Sequence, residues 1–196
     1  MIQAILLLFS PRLRKFSITD MYRYAGCTDF RTFLRIYYRT PEYRVIYFYR
    51  LARRYKGRLF LGWLFNRVLK NLSYRFHIQV FPECQIGDGF FVSHFSNVGI
   101  SPLAVIGKNF NIGQGANIGI ANRGKNKGVP TIGDDVWIGP NSIIVGGIRI
   151  GNDVLIAPLT LVNFDVPDHS LVIGNPAVIK PREFATEGYI NRRWEK

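Results

Sequence analysis

The sequence predicts a mainly β protein: a parallel β-helix of short strands, preceded by a helical region. Three observations carry this. Ile132, Ile138, Ile144, Ile150, Ile156 and Val162 recur every six residues, and Ile132, Ile138 and Ile150 are each followed by glycine. Two earlier runs share the period: Val80, Ile86, Val92, Val98, and then Ile100, Ile106, Ile112, Ile118. The composition also divides in two. Residues 1–79 hold 16 Lys/Arg against Asp20, Asp29 and Glu42, so the whole excess of +13 sits there, with 18 of the 28 aromatics.

In chain order, the first part carries helix signals. Ser17-x-x-Asp20 is a capping-box pattern. Thr28 precedes DFRTFLRIYYR, whose Phe30, Phe33, Leu34 and Tyr37 follow the i, i+3, i+4, i+7 spacing of one helix face. Thr40-Pro41-Glu42 reads as a helix start, with a capping hydroxyl, a first-turn proline and an acid on the positive dipole end. EYRVIYFYRLARRYK follows, and Gly57 is expected to end that helix. RLFLGWLFNRVLKNLSYRF is a fourth helix, apolar on most sides.

A period of six fits neither a helix nor one long strand. It fits a short strand plus a tight corner, with the aliphatic residue facing a shared core and a small residue permitting the turn. Such units must stack to bury that face. Three sixes make one triangular turn. Residues 80–164, less the loop 121–130, predict about four turns, each rising about 4.8 Å. The two early runs are out of phase by two residues at Val98-Gly99-Ile100, just after His94. The organisation expected is 1–76 helical, 77–182 β-helix and 183–196 a C-terminal tail.

Composition bounds the function. Cys27 and Cys84 are far apart and form no CxxC, which suits a reducing compartment. No run of about 18 apolar residues is present. MIQAILLLFS lacks the basic start and cleavage site of a signal peptide. A cytoplasmic protein is expected. The basic region has no recognised nucleic-acid-binding pattern, so no nucleic-acid partner is expected. His77, His94 and His169 are too dispersed for a zinc site, so no metal is expected.

The repeats, above all IGDDVWIGPNSIIVGGIRIGNDVLIAPLTLVNFDVPDHSLVIGNPAVIKPR (132–182), resemble those of the hexapeptide-repeat acyltransferases. The resemblance implies a left-handed β-helix, acetyl-CoA as acyl donor and a homotrimer. VFPECQIGDGFFVSHFSNVGISPLAVIGKNFNIGQGANIG (80–119) is similar to the active-site coils of the serine acetyltransferase branch. There the resemblance places the general base on His94, and an imidazole suits that task near neutral pH. It implies that Gln79 stands where the branch has the carboxylate that orients this base. It places coenzyme A along Gly119, Trp137, Gly139, Pro140, Asn141 and Ala157, with Lys180 and Arg182 for its phosphates. Ser93 and the loop residues Asn122, Arg123, Lys125 and Lys127 are the expected acceptor contacts.

Three departures shape the acceptor expectation. The serine-specific enzymes have an aspartate where Ser93 stands and Arg-His where Lys127-Gly128 stands, besides the change at Gln79. The reading drawn from them is an O-acetyltransferase for a carbohydrate hydroxyl in capsule or exopolysaccharide synthesis. The alternatives are a serine O-acetyltransferase and a non-catalytic β-helical scaffold that binds glycan or membrane. The basic, aromatic first part, with MIQAILLLF as a shallow apolar contact, is expected to meet an anionic membrane surface presenting a lipid-linked glycan.

Overall fold

The computed structural model describes residues 11–195. The apolar contact expected of residues 1–9 lies outside the described residues. Four helices come first: α1 (Pro11–Ala25), α2 (Phe30–Arg39), α3 (Pro41–Arg54) and α4 (Leu59–Phe76). Their starts differ in detail from the sequence signals. Ser17 and Asp20 lie inside α1 rather than capping it. The cap of α2 is Asp29, not Thr28; its carboxylate accepts from the Thr32 amide at 3.0 Å and the Thr32 hydroxyl at 2.6 Å. Thr40 sits at the start of α3 but makes no side-chain capping bond. That helix ends at Arg54, three residues before Gly57.

The rest is a left-handed parallel β-helix with three flat faces. Sheet A stacks β1 (Ile78–Gln79), β4 (Val98–Ile100), β7 (Asn117–Gly119), β10 (Ile143–Val145) and β13 (Leu161–Val162). Sheet B stacks β2 (Gln85–Ile86), β5 (Val105–Ile106), β8 (Thr131–Ile132) and β11 (Arg149–Ile150). Sheet C stacks β3 (Phe91–Val92), β6 (Asn111–Ile112), β9 (Trp137–Ile138), β12 (Val154–Ile156) and β14 (Ser170–Gly174), and β15 (Ala177–Pro181) turns back antiparallel on β14. The five strands of sheet A exceed the four turns read from periodicity, because the first coil begins at Ile78.

The period-six aliphatics stack in register, as in Ile86↔Ile106↔Ile132↔Ile150 down sheet B. All four are buried. The phase shift is a longer corner. Ile100, not Val98, pairs with Ile118, so two extra residues lie between Val92 and Ile100.

A stack of coils ends in unpaired strand edges, which invite association unless covered. The helices cover them here. Val45, Ile46, Tyr49 and Ala52 of α3 share one core with the first coils. The Tyr49 hydroxyl donates to Cys84 O at 2.8 Å. Arg50 donates to Ile86 O and Gly87 O, each at 2.6 Å, and forks onto Asp20 at 2.8 and 3.0 Å. Asp20 also accepts the Phe90 amide at 2.8 Å. Burial pushes the Arg50 guanidinium toward neutrality, but the Asp20 charge and hydrogen bonds, with smaller help from Tyr49 and Asp88, together outweigh this and raise its pKa. Arg53 donates to Pro82 O at 3.3 Å and to Glu83 O at 3.2 Å. The arginines read from sequence as a charged surface are therefore in part the edge-capping groups of the solenoid.

The C-terminal tail is a strap rather than a loose end. It crosses the outer face of sheet C toward α1. Asp153 accepts the Ala185 and Thr186 amides at 3.0 Å each. Tyr189 packs edge-on against Trp137 at 4.9 Å between ring centroids, and the Trp194 amide donates to Asn109 at 2.8 Å. Trp194 then meets Tyr22 of α1 at 5.5 Å.

Candidate active site

The corner joining sheet C to sheet A repeats four times down the stack. Its floor positions are Ser93, Gly113, Gly139 and Ala157. The amides of these four donate to Ile112, Ile138, Ile156 and Val172 carbonyls at 3.1, 2.8, 2.8 and 2.8 Å. A second ladder runs along the turn. Gly115 donates to Ser96 O at 2.9 Å, Asn141 to Gln114 O at 2.9 Å and Leu159 to Pro140 O at 3.0 Å. Stacked this closely, the corner leaves no room for a side chain at Gly139, whose added Cβ would lie 2.6 Å from Pro158 N.

The uppermost corner is the enlarged one, and it carries His94. The insertion pushes residues 94–97 into solvent. Ser96 (φ 144°) and Asn97 (φ 52°) both take positive φ, a strained conformation for side-chain-bearing residues. Three helices hold it. The buried Tyr24 hydroxyl of α1 donates to Val92 O at 2.9 Å and accepts the Val92 amide at 3.0 Å. Burial pushes this hydroxyl well above its ordinary value, so it stays protonated and able to donate. Glu42 of α3 is buried and accepts the Phe95 amide at 3.0 Å. Phe76, the last residue of α4, meets the Phe95 ring edge at 6.1 Å. Glu42, read from sequence as a charge on a helix dipole, thus braces the residue next to His94.

Gln79 lies on β1, exposed, and pairs in register with Gly99. It opens onto a cavity of about 600 Å³ between α4 and sheet A. Asn97 and His77 share that cavity, as do Lys70, Ser73 and Asn117. A side chain at Gly99 would displace the Asn117 carboxamide that now lies over this floor. Sequence reasoning missed His77, Lys70 and Ser73. The His77 carbonyl accepts the Val98 amide at 3.0 Å, just past the His94 corner.

The structure brings some expected residues together and separates others. Gly139, Pro140, Asn141 and Ala157 lie in line below His94 on one corner. Ser93 lies on that corner too, its hydroxyl 3.4 Å from Ile112 O. Gly119 is on β7, at the other edge of sheet A, where the 121–128 loop emerges. The loop neck is closed by Ala121 and Gly128, and Asn126 anchors it to Asn163 O at 2.6 Å. Asn122, Arg123, Lys125 and Lys127 are exposed on it, a sheet's width from His94 within one chain. Trp137 sits under Tyr189 of the strap instead of facing an open groove. Lys180 and Arg182 are exposed at the far end of sheet C. Among the described residues, no three His, Cys, Asp or Glu side chains converge as a metal site.

Residues 130–163 match the bacterial transferase hexapeptide (six repeats) family. Over 139 residues the chain is 32% identical to the serine acetyltransferase of Helicobacter pylori, covering 70% of this chain and 80% of that one. The chain belongs to the serine acetyltransferase family. Its match to serine acetyltransferase 4 of Arabidopsis thaliana, 38% identical over 102 residues, spans 52% of this chain but only 29% of that longer one. The serine-bound crystal structure of the Neisseria gonorrhoeae serine acetyltransferase superposes with a TM-score of 0.72 at 28% identity, covering 91% of this chain and 73% of that one. The coenzyme A complex from Brucella abortus, at 22% identity, shares the fold with a TM-score of 0.77, over 91% and 72% of the two chains.

Membership of this family overturns the carbohydrate reading, and with it the capsule or exopolysaccharide role. The relatives and fold neighbours are serine acetyltransferases, and their likeness extends through the helical region as well as the coils. The departures at Gln79, Ser93 and Lys127-Gly128 change individual polar groups. They do not outweigh a likeness spread over nine-tenths of the chain.

Proposed function

We propose that this protein is an acetyl-CoA-dependent serine O-acetyltransferase with His94 as its general base. The observation that carries the proposal is the enlarged corner. It is the only one of the four stacked corners with two added residues; it exposes His94, and its Asn97 borders the cavity that Gln79 also lines. In the reaction, the imidazole takes the proton of the serine hydroxyl as its oxygen attacks the thioester carbonyl. The tetrahedral intermediate collapses, the C–S bond breaks, and the thiolate of coenzyme A takes the proton back from the imidazolium. Gln79 orients the base in place of a carboxylate.

The pantetheine arm runs down the corner past Gly139, Pro140, Asn141 and Ala157, toward Lys180 and Arg182. The 121–128 loop and Gly119 belong to the opposite edge of sheet A, so they complete the site of a neighbouring copy in a trimer packed about a threefold axis. Release of free thiol from acetyl-CoA, with O-acetylserine identified by mass, tests the reaction. Turnover that needs serine is expected, in a species sedimenting as a trimer or its multiple. Serine-independent thiol release, or full activity in a monomer, refutes the respective part.

A second reading concerns the surface. No described helix is long and apolar enough to cross a membrane. At the start of α4, however, Leu59, Phe60 and Trp63 are 97%, 69% and 60% exposed, with Arg58 and Arg67 beside them. This pairing of exposed apolar and cationic groups suits an anionic bilayer surface, where each basic residue contributes about 1 kcal/mol. Flotation with phosphatidylserine vesicles is expected to show binding at low salt that is lost at high salt. Leu59→Ser with Trp63→Ser should abolish it. Binding unchanged in that double variant, or absent at low salt, rejects this face as a membrane contact.

A further inference from the structure

The cavity against α4 has a chemistry that the His94 corner alone does not supply. Serine at neutral pH carries a carboxylate, and its hydroxyl must reach the base while that charge is held by a cation. The cavity is bounded by α4 on one side and by Gln79, Gly99 and Asn117 of sheet A on the other. Two cations line it, Lys70 and, when protonated, His77. Its one carboxylate, Glu83, already pairs with Lys56 at 3.0 Å. Lys70 pairs with no carboxylate among the described residues, and its ammonium lies 5.7 Å from the Tyr74 ring centre.

One turn further along α4, the Ser73 hydroxyl is buried and has no hydrogen-bond partner among the described residues. A buried hydroxyl left unpaired is costly, and a ligand oxygen in the cavity relieves that cost. Residues three apart on a helix share a face. Lys70 and Ser73 therefore present a cation and a neutral donor side by side, matching the two oxygens of a carboxylate. The floor supplies only amides: Gln79, Asn97 and Asn117.

We infer that Lys70 and Ser73 form the site for the acceptor's α-carboxylate and set the preference for an amino acid over a neutral alcohol. The inference rests on the serine acetyltransferase reading and assigns a specificity role to α4.

Steady-state kinetics with serine and with serinamide, which keeps the hydroxyl and amine but lacks the carboxylate, test it. Lys70→Met is expected to raise KM for serine about 10- to 100-fold with kcat little changed, and to leave kcat/KM for serinamide as it was. Ser73→Ala is expected to act in the same direction by about 5- to 10-fold, and Lys70→Arg to retain most of the affinity. If Lys70→Met leaves KM for serine unchanged, or weakens serine and serinamide equally, the carboxylate site is wrong while the acetyltransferase reading stands. If the wild-type protein does not acetylate serine, that reading fails and this one with it.

Discussion

His94→Ala is expected to lower kcat by about 10²- to 10⁴-fold, with the thermal transition unchanged. The side chain is exposed, so its removal leaves no cavity in the core. What is lost is the acceptor for the hydroxyl proton, and serine oxygen attacks a thioester poorly while it keeps that proton. His77 is the necessary control, because it lines the cavity beside Gln79 and has the same chemistry. Its backbone takes a left-handed conformation (φ 52°) at the end of α4, and it is not on the stacked corner along which the pantetheine arm is placed. His77→Ala should therefore lower kcat less than about 10-fold. If the two variants exchange these effects, the base is His77. If both stay near wild-type turnover, neither His94 nor His77 is the base.

Asp20→Asn is expected to destabilise the fold by about 3–5 kcal/mol. The Asp20 and Arg50 side chains are each 1% exposed, and the change leaves the guanidinium buried without its counter-charge. The loss reaches further than one ion pair. Arg50 also satisfies the carbonyls of Ile86 and Gly87, and Asp20 accepts the Phe90 amide, so the first coil loses part of its edge cover. Replacing both residues, as Asp20→Leu with Arg50→Met, should recover part of the stability because no unpaired charge remains. Chemical denaturation of the single and double variants reads both effects. A loss below about 1 kcal/mol for Asp20→Asn would place the pair on a solvated surface and refute the capping role.

How much of this was legible in the sequence depends on the range of the interaction. The period of six, its glycines and the two-residue slip at Val98–Ile100 are local, and they predict the coils and the enlarged corner at His94. The ends of helices were less secure. Ser17-x-x-Asp20 has the spacing of a capping box, but Asp20 finds its partner 30 residues away. A capping carboxylate and a buried ion-pair carboxylate are the same letter in a sequence. Lys70, Ser73 and Tyr74 lie at i, i+3 and i+4, a spacing that marks one helix face. The apolar residues around them made that face read as ordinary packing. The tail has no periodicity at all, and its contacts with sheet C are set by the surface it meets. The acceptor expectation gave weight to three substituted positions; the likeness of the whole chain carried more information than those positions did.

The strap changes what kind of object the coil stack is. In an open solenoid each coil touches only its neighbours, so the last one can peel away at little expense to the rest, like the end turn of a spring. Here the chain beyond the last coil returns along sheet C and ends against the first helix, with Trp194 on Tyr22 and the Asn191 carbonyl on Arg23. The final coil cannot unwind without first releasing its hold on the opposite end of the molecule. The spring is clasped into a ring, and its two termini open together or not at all.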